Sequence, residues 1–418
     1  MKALHIGLFL LVAGCSSATE DTPMPEVEQP QCGIDPDAMQ GKPLRATADD
    51  LPAAARAVDV TAEGDVVLAA TRRGPEGRAG TLTVQQRGPD GELRWTREED
   101  GELGLGVEAL GVAVDSAGFV NVLAIETVLY VLGESDATFD GRLVVLRYGP
   151  DGARVWRWVR EREPIEPWGQ FRPTGILAVD GDDVRVLETV DNEPVVALRL
   201  DRFGNLVSEH ELEVPTGLPV YRMVATFGAA SSVYLAANDD DGLGNHPVWV
   251  GSFDEHGEPG WTQRFGSLDD DPRALVPAPG GGVYLAYATR DAGASSQQLR
   301  RYGPDGTELW TTTLATSDSD GGVAAGTIDC AGQVVLTGGL SAPASAELEW
   351  NMRSDLWVAG FDPDGTELWS TTFEFGPPFS FGSGSAVAVT LEGDVVVSGS
   401  YLGDAGSDYE PWLGWFSG

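Results

Sequence analysis

Short segments in which apolar and polar residues alternate recur along the chain and are separated by Asp-Gly turns. The clearest copy is Gly88-Pro89-Asp90-Gly91, followed four residues after its last glycine by Trp95. A repeat of about 55 residues results, and its period-two alternation predicts β-strands rather than helices. The other copies of the turn end at Gly152, Gly204, Gly257, Gly306 and Gly365.

A second motif alternates with this turn and reads apolar-Val-Asp, then a turn with glycine, then a valine-rich strand. Seven copies are present, two of them degenerate, which indicates seven repeat units. The copies are Ala57-Val58-Asp59, Ala113-Val114-Asp115, Ala178-Val179-Asp180, Met223-Val224-Ala225, Ala274-Leu275-Val276, Thr327-Ile328-Asp329 and Ala388-Val389.

Each unit therefore reads as four short antiparallel strands, the composition of one propeller blade. The sequence predicts an all-β, seven-bladed β-propeller over residues 34–418. The last unit ends in a third strand at Pro411–Phe416, so we expect an N-terminal strand at about Lys42–Thr47 to complete it. Ile34–Asp37 is similar to Phe361–Asp364 and is expected to form the turn before that strand.

One tryptophan per unit follows the Asp-Gly turn and is predicted to be a structural wedge between blades, because a large ring buries much apolar area. A ligand-stacking role is the alternative. Ser208 takes this place in the third unit and is expected to mark the least well packed blade. The tryptophans are Trp95, Trp156, Trp261, Trp310 and Trp369.

Residues 111–123 and 358–370 resemble the seven-bladed bacterial β-propeller repeat family and a related repeat of about 60 residues in deltaproteobacterial secreted proteins. The resemblance implies the architecture and no particular activity, since the members share a fold and not a function. The units are also similar to the Trp-docking repeats of pyrroloquinoline-quinone dehydrogenases. The vicinal cysteine pair of those enzymes is absent, so we expect no cofactor.

The N-terminus reads as an export signal, with Lys2 before the short apolar run Ile6–Val12. Leu11–Cys15 resembles a bacterial lipobox, which predicts a signal peptide at 1–14 and lipidation of Cys15. A plain secretory signal with an incidental cysteine is the alternative. Ser16 after the cysteine favours the outer membrane, and residues 15–33 are polar enough to form a disordered acidic tether.

The chain carries 65 acidic and 27 basic residues, for a formal net charge of −38. Such a surface repels phosphate backbones and anionic headgroups, so nucleic-acid binding is disfavoured and the lipid anchor is the only expected membrane contact. Two cysteines remain beside Cys15. Cys32 and Cys330 are expected on the same face of neighbouring blades, which predicts a disulfide that clamps the closure of the ring.

Metal and catalytic motifs are weak. His210, His246 and His256 are scattered in sequence, without zinc-type spacing, so no metal site is expected. Asp239–Asp241 and Asp269–Asp271 are interpreted as solvated acidic loops rather than calcium ligands. The chain shows no nucleophile elbow, metalloprotease motif or phosphate loop, so no catalytic residue is predicted and an enzyme is the less favoured reading.

The sequence predicts a monomeric binding or scaffold protein for a protein or glycan partner at the cell envelope. A carbohydrate-active hydrolase with carboxylates at the channel mouth is the alternative. Long connections between strands are expected to share the face opposite the Pro-Asp-Gly turns and to carry the site. They are 126–141, 160–173, 238–247 and 341–354, and the aromatic contact candidates on this face are Tyr130, Phe139, Trp168, Phe171, Trp350, Tyr401 and Tyr409.

The lipid anchor predicts that a radiolabelled fatty acid supplied to the growing host appears on the protein. In a Cys15→Ala variant the thiol that accepts the lipid is missing, so the label should be lost. Cys32→Ala is the matched control and should keep the label. Equal labelling of the wild type and the Cys15→Ala variant would remove the lipoprotein interpretation.

Overall fold

The computed structural model of the protein describes most of the chain from residue 34 onward. The predictions for residues 1–33, which include Cys15, the tether and Cys32, lie outside the described residues. Those described are 34, 39, 45–47, 51, 55–72, 80–101, 106–131, 137–160, 174–189, 194–214, 223–238, 246–266, 270–291, 294–317, 322–342, 353–374, 382–402 and 409–416.

The described residues form seven four-stranded antiparallel sheets, and six of them are simple meanders in chain order. The first strand, β1 (Arg45–Thr47), belongs to the last sheet. Blade one contains β2 (Ala55–Val60), β3 (Val66–Arg72), β4 (Thr81–Arg87) and β5 (Leu93–Glu99). Blade two contains β6 (Gly106–Val114), β7 (Val120–Val131), β8 (Ala137–Tyr148) and β9 (Arg154–Val159). Blade three contains β10 (Thr174–Asp180), β11 (Asp183–Thr189), β12 (Val196–Leu200) and β13 (Leu206–Glu211).

The remaining blades follow the same pattern, with one short 3₁₀ turn at Ala229–Ser231. Blade four contains β14 (Met223–Phe227), β15 (Val233–Asn238), β16 (Val248–Phe253) and β17 (Pro259–Phe265). Blade five contains β18 (Asp271–Pro277), β19 (Val283–Asp291), β20 (Ala294–Tyr302) and β21 (Glu308–Ser317). Blade six contains β22 (Gly322–Ile328), β23 (Val334–Ala342), β24 (Arg353–Phe361) and β25 (Glu367–Phe373). Blade seven contains β26 (Gly382–Val389), β27 (Val395–Leu402) and β28 (Tyr409–Phe416), together with β1.

The sheets are arranged in a closed ring. The first strand of each blade contacts the first strands of both neighbouring blades, and β26 of blade seven contacts β2 of blade one. Seven four-stranded blades around a central axis define the seven-bladed β-propeller that the repeat predicts.

The N-terminal strand completes blade seven, as expected from the unfinished last repeat. In β1, Arg45 pairs with Trp415, Ala46 with Gly414 and Thr47 with Leu413. Hydrogen bonds of a sheet therefore join the two ends of the chain and close the ring.

The turn proposed before this strand, Ile34–Asp37, lies outside the described residues except for Ile34. In blades one and six, Trp95 and Trp369 pair with the next-to-last residue of the third strand, Gln86 and Gly360 respectively. In blade seven, Arg45 pairs with Trp415, which is the next-to-last residue of β28. Arg45 thus holds the tryptophan place, three residues later than the similarity of Ile34–Asp37 to Phe361–Asp364 implies.

Ile34 instead lies on the first turn of blade six. Its backbone N–H donates to Asp329 Oδ2 at 3.1 Å, and Gln333 Nε2 donates to its carbonyl at 3.3 Å. Asp329 directly precedes Cys330, so residue 34 rests against the turn that carries this cysteine. Pairing of Cys330 with Cys32 stays a prediction, because Cys32 is outside the described residues.

The first-to-second strand turns also correct the alignment of the second motif. The Gly64 N–H donates to the Thr61 carbonyl, just as the Gly118 N–H donates to the Asp115 carbonyl. The Thr61 hydroxyl and the Asp115 carboxylate each accept a backbone N–H of their own turn. Thr61, and not Asp59, is therefore the counterpart of Asp115. A hydroxyl supports this kind of turn as a carboxylate does. The sequence alignment on aspartate therefore placed the motif of blade one two residues too early.

The apolar cores lie between blades and not within them, because each sheet buries its two faces against its neighbours. Seven clusters of buried residues fill the seven seams of the ring. At the closure seam, for example, Val396, Leu413 and Trp415 of blade seven pack with Ala55, Val66 and Leu68 of blade one.

The recurring tryptophan packs its ring on the turn glycine of the next blade. A Cβ atom built on Gly152 would lie 2.7 Å from Trp95 Cδ2, so only a glycine leaves room for the ring. The Trp95 indole N–H donates to the Pro150 carbonyl in the same turn at 3.1 Å. The same ring-on-glycine contact joins Trp156 to Gly204, Trp261 to Gly306 and Trp310 to Gly365. These contacts support the predicted wedge role.

Replacing Gly152 with alanine tests the energetic weight of the wedge. Gly152 has φ +76° and faces the Trp95 ring, whereas Gly280 has φ +74° with no atom within 4 Å of an added Cβ. Gly280→Ala should cost about 1–2 kcal/mol of backbone strain alone. Gly152→Ala should cost about 1–3 kcal/mol more, because the methyl group displaces the ring. Urea unfolding measures both.

The excess cost should disappear in a Trp95→Ala background, where the ring that the methyl group meets is gone. Equal costs for Gly152→Ala and Gly280→Ala in the wild type would contradict a wedge at this seam.

Candidate functional site

The first strands of five blades carry a β-bulge at the same register position. The bulges lie in β2, β6, β18, β22 and β26, each four residues before the last residue of its strand. A bulge bends the strand and re-aims one side chain, and bulges are frequent beside functional sites. The re-aimed residues are Arg56, Leu110, Arg273, Ala324 and Ser385.

Two of these side chains are arginines in a chain that has few cations. Arg56 of blade one forms an ion pair with Glu108 of blade two, and Arg273 pairs with Asp271 at 3.0 Å. The arginine side chains are 50% and 38% exposed. A guanidinium offers five N–H donors and a carboxylate engages two at most, so each arginine suits binding of a further polar group.

Asp59 links the first strands of blades one and two. Its Oδ2 accepts the backbone N–H of Val114 at 2.7 Å, and its Oδ1 accepts that of Val60 at 2.8 Å. Burial raises the pKa of Asp59 to about 6, against the lowering effect of these two hydrogen bonds. One oxygen binds the neighbouring blade and the other binds the backbone of its own strand, which makes Asp59 a structural group.

In blade two the second and third strands continue past the first strand as a two-stranded ribbon, which within the described residues is one residue pair longer than the similar extensions of blades five and six. The first strand β6 stops pairing with β7 at Thr127, whereas β7 and β8 remain paired as far as Val131 and Ala137. Four residue pairs of about 3.4 Å each therefore continue the hairpin by roughly 13 Å on the face opposite the Asp-Gly turns. This corrects the expectation that 126–141 is an irregular loop.

The ribbon is anchored by a buried carboxylate. Glu126 is 2% exposed, and its two oxygens bind Arg142 at 2.6 Å and Arg157. These residues lie on three consecutive strands of blade two, so the base of the ribbon is fixed to the sheet. By sequence, the outgoing strand of the ribbon, Val128–Val131, is entirely apolar or aromatic.

Other predicted contact residues are only partly described. Tyr130 and Phe139 lie in paired strands of the ribbon, and Tyr409 lies in β28. The Tyr401 hydroxyl donates to Glu410 Oε2, so this ring belongs to a cross-strand pair of blade seven. Trp168, Phe171 and Trp350 fall outside the described residues.

Two histidines that are 46 positions apart in sequence are brought into contact. The ring centroids of His210 in β13 and His256 in the blade four turn are 5.6 Å apart, with the ring planes at 77°. The expectation that the histidines are scattered is therefore wrong for this pair. The repeat does not indicate it, because His210 and His256 hold different positions in their units, and the blade four counterpart of His210 is Gln263.

The described part of the chain offers neither a larger metal site nor a membrane helix. There, no group of three or more His, Cys, Asp or Glu side chains is arranged to hold a metal ion. Within the same residues, no helix has the length and apolarity needed to cross a bilayer. The interpretation of Asp269–Asp271 as a solvated loop is wrong for its two described residues, because Asp270 is buried and Asp271 begins β18 and binds Arg273. Asp239–Asp241 lie outside the described residues.

Comparisons with known proteins find only distant structural similarities. No family model matches the chain, and no curated protein matches it. Among solved structures, it is similar to a protein of unknown function from Dyadobacter fermentans at 12% identity and TM-score 0.47, covering 90% of this chain and 98% of that one. The β-propeller domain of the Trilobed protease from Pyrococcus furiosus matches at 11% identity and TM-score 0.45, over 86% and 91% of the two chains.

A gluconolactonase from Xanthomonas campestris is similar at 15% identity and TM-score 0.40, over 90% of this chain and 95% of that one. At such identities the likeness concerns the fold alone. The chain is a seven-bladed β-propeller, and its function has to be argued from its own residues.

The raised pKa of Asp59 predicts a pH-dependent stability. A carboxyl whose pKa is higher in the folded than in the unfolded protein stabilises most below about pH 4, and this stability is lost as the pH rises through 6. Because Asp59 is partly exposed, we expect a loss of about 1–2 kcal/mol. Urea unfolding at several pH values from 4 to 7 measures it.

Asp59→Asn is the control, since the amide does not titrate and keeps one acceptor for the backbone N–H groups. Its curve of unfolding free energy against pH should lack this component while the rest of the acidic surface still contributes. Parallel curves for the wild type and the variant would contradict the assignment.

Proposed function

We propose that the protein is an exported, lipid-anchored envelope protein that uses its propeller as a non-enzymatic binding or scaffold module for a protein or glycan partner. The partner docks on the face opposite the Asp-Gly turns. The blade two ribbon is the single observation that carries this proposal, because a two-stranded extension with an apolar outgoing strand gains stability when a partner covers it.

The charges of the inner strands support binding rather than turnover. Most glycosidases hydrolyse the glycosidic bond with a pair of carboxyl groups, one of them a proton donor. Here Glu108 and Asp271 each bind an arginine and belong to blades two and five. Among the described carboxyl groups, a raised pKa is found at Asp59, whose oxygens hold backbone N–H groups.

The location and family follow from the sequence and belong to the same proposal. The lipobox-like segment at Cys15 and the following Ser16 support an outer-membrane anchor, and the polar segment after them supports a tether. The repeat units support membership of the bacterial β-propeller repeat family. With the rigid ring on such a tether, the ribbon reaches partners at a distance from the membrane.

Site-specific photocrosslinking in the native host tests the docking face. A photoreactive phenylalanine analogue at Tyr130 or Phe139, both in the ribbon, should form a covalent adduct with the partner. The matched control is Phe203, an aromatic residue 66% exposed in the blade three turn on the opposite face, which should form none. Protease and glycosidase digestion of the adduct then identify the partner class.

Adducts from Phe203 as strong as those from the ribbon, or no adduct from either ribbon position, would overturn the proposal. Binding without turnover also predicts that Glu108→Gln and Asp271→Asn leave the partner chemically unchanged, as the wild type does. A product that the wild type releases and these variants do not would favour the hydrolase.

A further inference from the structure

The seam between blades three and four lacks the tryptophan wedge. Ser208 holds the tryptophan place on β13, where it pairs with Arg199. The turn glycine of blade four, Gly257, faces the backbone carbonyl of Glu211 and a methyl group of Leu212 instead of an indole ring. This seam therefore needs another contact between the last strand of one blade and the turn of the next.

The residue two positions after the tryptophan place supplies such a contact in other seams. Arg97 Nε donates to the Gly152 carbonyl at 2.6 Å, and Gln263 Nε2 donates to the Gly306 carbonyl at 3.2 Å. In blade three the equivalent residue is His210, which meets the imidazole of His256 in the blade four turn. Two histidine rings thus meet at the place where, in two other seams, a side-chain N–H donates to the backbone carbonyl of the next blade's turn.

We propose that His210 and His256 form a two-histidine zinc site that clamps this seam, with water completing the coordination. Zinc binds histidine nitrogen at about 2.0–2.1 Å in tetrahedral geometry, which puts the centroids of two bound imidazoles about 5–6 Å apart. The observed centroid separation of 5.6 Å falls within this range. The site is independent of the docking face proposed above.

The surroundings of the pair favour a cation and allow it to enter. Glu255 Oε1 lies 3.7 Å from His256 Nε2, and the two side chains are 55% and 66% exposed. The chain as a whole carries a formal net charge of −38. Carboxylates alone suit calcium and magnesium, whereas imidazole ligands select zinc, copper and nickel.

Isothermal titration of the metal-free mature protein with zinc chloride tests the proposal. Excess magnesium in the buffer occupies the general acidic surface. The wild type should bind one zinc ion per chain in a saturable step, and His210→Gln and His256→Gln should each weaken this step by at least about 10-fold. His246→Gln is the matched control and should bind as the wild type does.

Thermal unfolding provides a second readout, because an ion that binds only the folded protein stabilises it by mass action. Zinc should raise the Tm of the wild type and of His246→Gln, and should leave the Tm of the two variants unchanged. Two results would overturn the site: equal zinc affinity in the wild type and the His210→Gln and His256→Gln variants, or no saturable binding by the wild type. The contact between the two rings would then be packing only.

Discussion

The structure depends on packing between blades, because each apolar core is shared by two sheets. A four-stranded sheet with both faces apolar is stable only between two neighbours, so the ring has to close for any blade to be fully buried. Closure rests on three residue pairs between β1 and β28. The wedge of Trp95 on Gly152 and its three equivalents fix the angle between the blades that these cores require.

A closed ring of this kind also determines where binding takes place. The Asp-Gly turns are short and hold the tryptophan rings of the preceding blades, so they are committed to structure. The opposite face carries the bulged arginines and the ribbon of blade two. Glu126 anchors that ribbon through Arg142 and Arg157, which makes it a fixed part of the scaffold. Partner binding there needs no change in the packing of the blades.

The repeat predicted the fold well because one turn and one valine-rich strand recur at the same spacing in each unit. Blade number, strand order and closure by the N-terminus follow from such local signals. The register of β1 does not follow from them. Arg45 stands where other blades have a tryptophan, and the third and fourth strands of blade seven come from opposite ends of the chain. Thr61 was missed as the blade one counterpart of Asp115, because a hydroxyl and a carboxylate can support the same kind of turn.

Features of the candidate site were harder to predict, because they come from contacts between blades. The Arg56 pair with Glu108, the Asp59 bond to Val114 and the contact of His210 with His256 each join residues of neighbouring units. Bulges are equally hard to predict, because the single extra residue shifts the period-two alternation by one position in a strand that is only a few residues long.

Amide hydrogen exchange on a variant that lacks residues 34–47 tests ring closure most directly. If the cores between blades depend on β1, exchange should become faster throughout β27 and β28, and also in β2 and β3 across the closure seam, whose apolar residues share the same core. Unchanged protection of these four strands in the shortened protein would contradict the account, since blade seven would then be stable without its N-terminal strand.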